Sequence, residues 1–338
     1  MPDTRKKKIP IIELTVVLLI AVLVVIIMMA GKKTETGQNN SEISSSEPQN
    51  VEKWQEGVIE HNGKYYKYNN RIHTYLIMGI DKEETETVID GAALGGQSDA
   101  MFLLVADSSK EKMSVISINR NSMTDIEVYD ESGAKVSTLY AQICTQHGFG
   151  DGKHLSCSRA TDAVSRLFYK IPIKGYLSMR MGAIPVMNDA IGGVELTVLQ
   201  DLEYPGKGVS LKEGETKKLS GDEAYAYLRG RALNEFDSAS DRLRRQEQYI
   251  TAFTEQVKAY TAGSTSKLLA IYDSIEDYIV TNVDFANLAS QLSSYKFEKE
   301  NMYTVPGETI MGSEFEEYHV DDDALYDMII EVFYEEVE

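Results

Sequence analysis

The sequence predicts an α/β sandwich standing behind one membrane-spanning helix. Three observations predict it. Residues 11–30 (IIELTVVLLIAVLVVIIMMA) form an apolar run of 20 residues, about 30 Å as a helix, which matches a bilayer core. Residues 75–80 (YLIMGI), 100–106 (AMFLLVA) and 113–118 (MSVISI) are short apolar runs of strand length. Strands of that kind are buried on both faces, so helices must cover the sheet. Segments with helical apolar spacing then alternate with strand-like ones along the remaining chain.

Arg5, Lys6, Lys7 and Lys8 precede the apolar run and favour a cytoplasmic N-terminus; Lys32 and Lys33 weaken the contrast. The run is long for a cleaved signal peptide, and no A-x-A-like site follows it. The expected order is a cytoplasmic stub over 1–10, an anchor over 11–30, a flexible linker over 31–55 and an extracytoplasmic domain over 56–338. The linker reading rests on TETGQNNSEISSSEPQN at 34–50, which has Ile43 as its one large apolar residue. The chain is thus expected in the cell membrane as a single-pass protein with its domain outside.

Residues 58–68 (VIEHNGKYYKY) read as a hairpin, because Asn62-Gly63 supplies the positive φ angles of a type I′ turn. Helices are expected over 155–169 and 181–191, the second stopped by Gly192-Gly193. Residues 194–199 alternate as a strand. Ser220-Gly-Asp-Glu223 is a capping box opening the next helix. Helices follow over 241–261, 265–279 and 285–292. A strand is expected at 301–305, a loop at 307–317 and an amphipathic helix over 321–338, with Leu325, Met328, Ile329, Val332 and Phe333 on its buried side.

Of 338 residues, 34 are Lys or Arg and 53 Asp or Glu, for a net charge of −19. The first 33 residues hold six of the basic groups and two of the acids, so the rest carries 28 basic against 51 acidic groups. That field argues against a nucleic-acid partner. Two cysteines exclude a disulfide-dense mini-fold. None of the five histidines has a convincing Ser or Cys partner for nucleophilic catalysis.

Candidate chemistry sits at strand ends. Asp81 follows YLIMGI, Asp99 precedes AMFLLVA, and Arg120 follows MSVISIN. Ligands of open α/β sheets collect outside the carboxyl ends of strands. Asp99 joins Asp81 at that edge if its strand runs antiparallel. Arg229, Arg231, Arg242, Arg244 and Arg245 put five of the 28 basic groups into 17 positions, all Arg and none Lys. Guanidinium holds phosphate oxygens bidentately. Two carboxylates with several arginines fit a divalent cation bridging to a diphosphate, since Mg²⁺ takes one or two carboxylates and fills its shell with phosphate oxygen and water. The competing reading gives Asp81 and Asp99 turn or cap duty, puts Arg244 on a solvated face, and has Arg242 and Arg245 salt bridging on a shared i, i+3 face.

These pieces also occur together in one known pattern. YLIMGID, QSDAM, SINRN, IPIKGY, NDAIGGVELTV, LSGDEAYAYLRGR and DRLRRQ, in this order over roughly 71–262, make the chain similar to the LytR-CpsA-Psr family of membrane-anchored cell-wall enzymes. The resemblance implies an α/β/α sandwich with a central mixed sheet and an apolar tunnel for a polyprenyl tail. It implies a phosphotransferase that moves a glycopolymer (teichoic acid, capsule or a related polysaccharide) from a polyprenyl-diphosphate carrier to peptidoglycan. On that pattern Asp81 and Asp99 bind Mg²⁺, and Arg120, Arg229, Arg231, Arg242 and Gln246 hold the diphosphate, with Gln97 beside them; Asp99 and Arg120 are the expected catalytic pair. Two positions depart from the pattern: Gln97 stands where the family has Arg, and Asn121 where it has Asp. A binding protein without turnover and a diphosphate hydrolase are the alternative readings.

Cys144 and Cys157 can close a disulfide loop outside the cytoplasm; two reduced thiols are the alternative. With His147 and His154 they suggest a metal site, but the order and spacing fit no usual zinc pattern. Most of the twenty tyrosines read as half-buried sheet and helix positions.

Overall fold

The computed structural model describes residues 57–337 apart from 92, 231–237, 263, 285–287, 289–294, 296–300 and 313–314. The stub, the apolar run at 11–30 and nearly all of the linker, like most of the helix expected over 285–292, lie outside these residues. No helix among the described residues is long and apolar enough to cross a membrane.

Strands β1 (Val58–His61) and β2 (Lys64–Tyr68) form the expected hairpin, with Asn62 at φ 50° and Gly63 at φ 74° in its turn. Then come β3 (Ile72–Ile80), β4 (Ser98–Asp107) and β5 (Lys112–Ile118), which contain the three apolar runs. A hairpin of β6 (Met123–Tyr129) and β7 (Lys135–Gln142) precedes helix α1 (His154–Leu167). Strand β8 (Gly175–Arg180) leads to α2 (Ala183–Ala190). Short pairs follow: β9 (Glu195–Thr197) with β12 (Thr216–Lys218), and β10 (Leu202–Tyr204) with β11 (Val209–Leu211). Helices α3 (Gly221–Arg229), α4 (Ser238–Thr261) and α5 (Thr265–Ile275) precede β13 (Ile279–Thr281) and β14 (Met302–Thr304). The chain continues through β15 (Gly307–Met311), β16 (Glu316–Val320), α6 (Asp322–Phe333) and β17 (Tyr334–Val337).

The central sheet has the order β13-β8-β3-β4-β5-β14. β3 lies parallel to β8 and antiparallel to β4, β4 antiparallel to β5, and β5 parallel to β14, so the sheet is mixed. Period-two alternation divides its side chains between two cores. Tyr75, Ile77, Phe102, Leu104 and Val115 pack toward α2, α3, α4 and α5. Leu76, Met78, Leu103, Val105 and Ile116 pack toward α1 and α6. This is the three-layer sandwich that the unbroken apolar runs require.

Two expectations need correction, and one strand has no counterpart among them. β8 was not anticipated, because Gly175, Ser178 and Arg180 interrupt its apolar pattern. The loop expected at 307–317 is largely strand, since β15 and β16 pair as a hairpin. The terminal helix stops at Phe333, and β17 returns to pair with β2. Leu325, Met328, Ile329 and Phe333 are buried as expected.

A candidate diphosphate site at the sheet edge

Antiparallel pairing of β3 and β4 brings Asp99 to the edge where β3 ends in Asp81. Gly79 pairs with Ala100 and Ile80 with Ser98, so Asp99 is the extra residue of a β-bulge. Bulges re-aim a side chain and are frequent beside active sites. β5 runs parallel to β3, and Arg120 emerges two residues beyond its end at the same edge.

Asp81, Asp99 and Arg120 form one network with Gln97 and Cys144. Arg120 Nη1 lies 2.6 Å from Asp99 Oδ1. Its Nη2 donates to Gln97 Oε1 and, at 3.4 Å, to the Cys144 sulfur. The Gln97 N–H donates to Asp81 Oδ1 at 2.7 Å, and the Asp81 N–H to the Gln97 carbonyl at 3.1 Å. Gly96 makes this closure possible. It sits at φ +84°, and a Cβ there would lie 2.9 Å from Asp81 Oδ1 and 2.8 Å from Lys82 Cγ. Burial opposes the Arg120 charge, but its neighbours outweigh burial and raise the group above its ordinary value. Burial pushes the Cys144 thiol up to about 11, so the sulfur is neutral and the ionic support comes from Asp99 and Asp81.

Beneath this rim His147 is fully buried, with Nδ1 3.1 Å from the Gly96 carbonyl. A carbonyl only accepts, so Nδ1 carries the proton. Burial and the Arg180 charge lower this imidazole to about 4, leaving it neutral.

Cys144 and Cys157 are free, buried thiols, which corrects the disulfide expectation. Cys144 faces Arg120 and Gln97, whereas the Cys157 sulfur lies 3.2 Å from Ser178 Oγ and 3.8 Å from His147 Nε2. Among the described residues no three His, Cys, Asp or Glu side chains group as metal ligands.

Arg229 reaches the rim from the helices. It ends α3, whose start carries the full capping box: Glu223 N–H to Ser220 Oγ, and Ser220 N–H to Glu223 Oε2 at 2.9 Å. Its Nη1 donates to the sulfur of Met181, and its guanidinium carbon lies 5.9 Å from the Tyr225 ring centroid. The Met181 and Gly182 N–H groups donate to the Lys82 and Glu83 carbonyls, and the Tyr225 hydroxyl to Glu83 Oε1 at 2.6 Å. Arg229 and the segment following Asp81 are therefore fastened to the same strand end.

The other arginines divide. Arg242 and Gln246 lie on α4, their side chains outside the description, and Arg231 lies outside the described residues. Arg244 is exposed. Arg245 is fully buried and closes the end of α3, donating from Nε to the Tyr227 carbonyl at 2.8 Å and from Nη2 to that of Gly230. This is helix C-capping, neither the phosphate contact read from the arginine cluster nor the salt bridging of the competing reading. Asn121 is tied outward: its Oδ1 accepts from Gln142 Nε2 at 3.0 Å and its carbonyl from the Tyr318 N–H.

Residues 26–331 match the LytR_cpsA_psr family. The chain belongs to this family. The polyisoprenyl-teichoic acid–peptidoglycan teichoic acid transferase TagU of Halalkalibacterium halodurans is 29% identical over 229 residues, a match spanning 67% of this chain and 66% of that relative's length. The Bacillus cereus protein of the same name (strain ATCC 14579) is 26% identical over 237 residues, 69% of this chain and 68% of the relative. A Streptococcus agalactiae protein shares the fold with a TM-score of 0.53 at 18% identity, covering 77% of this chain and 87% of that one. Bacillus subtilis TagV does so with a TM-score of 0.51 at 21% identity, covering 78% and 97%.

Sequence reasoning missed Arg180, Glu83, Cys144 and His147 as parts of the site. Arg180 carries the same signal that singled out Asp81 and Arg120, a charged residue at the end of a strand; it went unread because β8 did.

Proposed function

We propose that this family member is a phosphotransferase. It moves a glycopolymer from a polyprenyl-diphosphate carrier to a peptidoglycan hydroxyl at the outer face of the cell membrane. The observation that carries the reading is the convergence of Asp81, Asp99 and Arg120 at one sheet edge, with Arg229 fastened to the adjacent strand end. The names of the TagU relatives support the polymer and acceptor classes.

Two carboxylates flanked by guanidinium groups suit a hard cation that draws its remaining ligands from phosphate and water. Asp81 and Asp99 are the residues that would hold Mg²⁺, which would polarise a diphosphate oxygen as a Lewis acid. Arg120 neutralises Asp99, and its side chain stays 20% exposed at the rim, where phosphate can reach it. Arg229, Arg231, Arg242 and Gln246 are the further residues assigned to hold the diphosphate and stabilise the charge growing on the departing polyprenyl phosphate. The sugar hydroxyl oxygen attacks the phosphorus bonded to the glycan. The bond to polyprenyl phosphate breaks, and the hydroxyl proton passes to Asp99 or a diphosphate oxygen.

The isoprenoid runs along the α2–α5 side of the sheet, where Tyr75, Ile77, Leu104, Leu177, Val283 and Leu288 line a small apolar pocket. Ile77 is four residues, about 13 Å along β3, from Asp81. An anchor at residues 11–30 keeps the site near this lipid and raises its effective concentration.

The test is transfer by the full chain in lipid vesicles, with a synthetic polyprenyl-diphosphate glycan and peptidoglycan fragments. Asp99→Ala and Arg120→Ala should each abolish glycan attachment while the domain keeps its circular dichroism. Attachment by both variants defeats the reading. Glycan release by the wild-type chain at the same rate without acceptor would make it a hydrolase instead.

A further inference from the structure

A second guanidinium lies behind Asp81. β8 is parallel to β3 with Arg180 opposite Ile80, so Arg180 ends its strand at the same edge, one position short of Asp81. It is 2% exposed. Nη2 donates to the Gly152 carbonyl, but Nε and Nη1 are buried with no hydrogen-bond partner among the described residues. Burial pulls this arginine below its ordinary value, while Cys157, Asp81 and Asp151 act the other way. Burial holds the Cys157 thiol up at about 11, so it is neutral. Asp151 keeps its charge while its Oδ1 accepts from the Lys153, Leu155 and Ser156 N–H groups at the start of α1. Asp81, next after the residue opposite Arg180, is the carboxylate of the candidate site whose charge acts on Arg180 through space, without the direct ion pair that joins Asp99 to Arg120.

Resting on the diphosphate reading, we propose that Arg180 is a positioning residue that makes the divalent cation and the diphosphate bind as a coupled pair. Asp81, Glu83, Asp99 and Asp151 set against Lys82, Arg120, Arg180 and Arg229 give this edge no net charge. A divalent cation arriving alone adds two uncompensated positive charges in a poorly solvated place. A diphosphate arriving alone meets guanidinium groups already balanced by carboxylates. Arriving together they cancel, and each lowers the cost of binding the other by the same factor. Arg180 is too buried to touch the phosphate, so it acts through Asp81. Removing its charge leaves the edge at −1, which tightens the cation alone and weakens the coupling.

The experiment measures Mn²⁺ binding to the full chain in detergent micelles by electron paramagnetic resonance. It is run at fixed free Mn²⁺, with and without saturating geranylgeranyl diphosphate. The wild-type chain should bind Mn²⁺ weakly alone and at least about tenfold more tightly with the diphosphate. Arg180→Met should bind Mn²⁺ alone about tenfold more tightly than wild type, with most of the coupling lost. Arg180→Lys, which keeps the charge, should retain the wild-type pattern. Wild-type affinity and coupling in Arg180→Met overturn the proposal and leave the function intact. So does an Arg180→Lys chain that behaves like Arg180→Met, because the effect then belongs to the bond with Gly152. If Arg180→Met does not fold, Arg180→Gln takes its place beside Arg180→Lys with the same criteria. Absence of binding by wild type to either probe removes the diphosphate reading itself, a result distinct from the others.

Discussion

The site has a strand-borne half and a helix-borne half, and the two are built differently. Asp81, Asp99, Arg120 and Arg180 are placed by β-register, at the ends of neighbouring strands in one sheet. Gln97 links Asp81 to Arg120 and so to Asp99, Arg180 bonds the Gly152 carbonyl, and the neutral, buried His147, Cys144 and Cys157 lie beneath. Arg229 arrives at the end of a nine-residue helix, held by a sulfur contact, an aromatic face and the Glu83–Tyr225 bond. Its neighbour Arg245 turns inward to cap that helix. Register fixes position to a fraction of an ångström, because the backbone ladder cannot slide without moving every side chain to the other face. A helix end is set by packing and caps, which tolerate small shifts. The strand half should therefore fail outright when one member is lost, and the helix half by degrees.

Transfer kinetics give the largest contrast. Arg120→Ala removes the partner of Asp99 and should cost at least about 4 kcal/mol of transition-state stabilisation, roughly a thousandfold in rate. Arg229→Ala removes one charge-assisted contact among several and should cost about 2 kcal/mol, roughly thirtyfold. Equal losses in the two variants would erase the distinction between the halves.

The support beneath the strand half gives the next effect, read in stability. His147 is lowered to about 4 by burial and the Arg180 charge, while in the unfolded chain it titrates near its ordinary 6.5. Between these values the unfolded state binds the extra proton. Stability is then lost as pH falls from about 6.5 to 4, by up to about 3 kcal/mol from this group, and not further below. Urea midpoints from pH 7 to pH 4.5 should fall more steeply in wild type than in His147→Gln, whose amide can still donate to the Gly96 carbonyl. Parallel slopes would show that the proton burden lies elsewhere.

The sequence disclosed the strand half better than the helix half. Asp81 and Arg120 could be read because charged residues ended unmistakable apolar strands. Asp99 needed one assumption, antiparallel pairing, which the sheet obeys; its bulge left no local mark. Arg180 was hidden because its strand, GYLSMR, is broken by Gly and Ser and pairs through non-local contacts that no short window reveals. Among the arginines, composition could mark the cluster but not distribute the tasks. Arg245 differs from Arg229 through the carbonyls of α3 it can reach, and that depends on how α3 and α4 cross. The apparent disulfide failed for the same reason: compartment speaks to redox state, while the separation of two thiols is a tertiary fact.

The smallest effect tests whether α3 does more than carry Arg229. Ser220→Ala removes one arm of the capping box, the acceptor for the Glu223 N–H, while Lys217 still pairs with Glu223 at 2.7 Å. The loss should be about 1 kcal/mol of stability, seen as a shift of a few degrees in thermal midpoint. Arg229 sits two turns away, beside an end that Arg245 clamps to the Tyr227 and Gly230 carbonyls. Fraying at the cap should therefore leave transfer within about twofold of wild type, since helix ends fray locally. A Ser220→Ala chain that loses transfer as strongly as Arg229→Ala would mean that the orientation of the whole helix, through Tyr225 and Glu83, governs the rim. The helix half would then be as exacting as the strands.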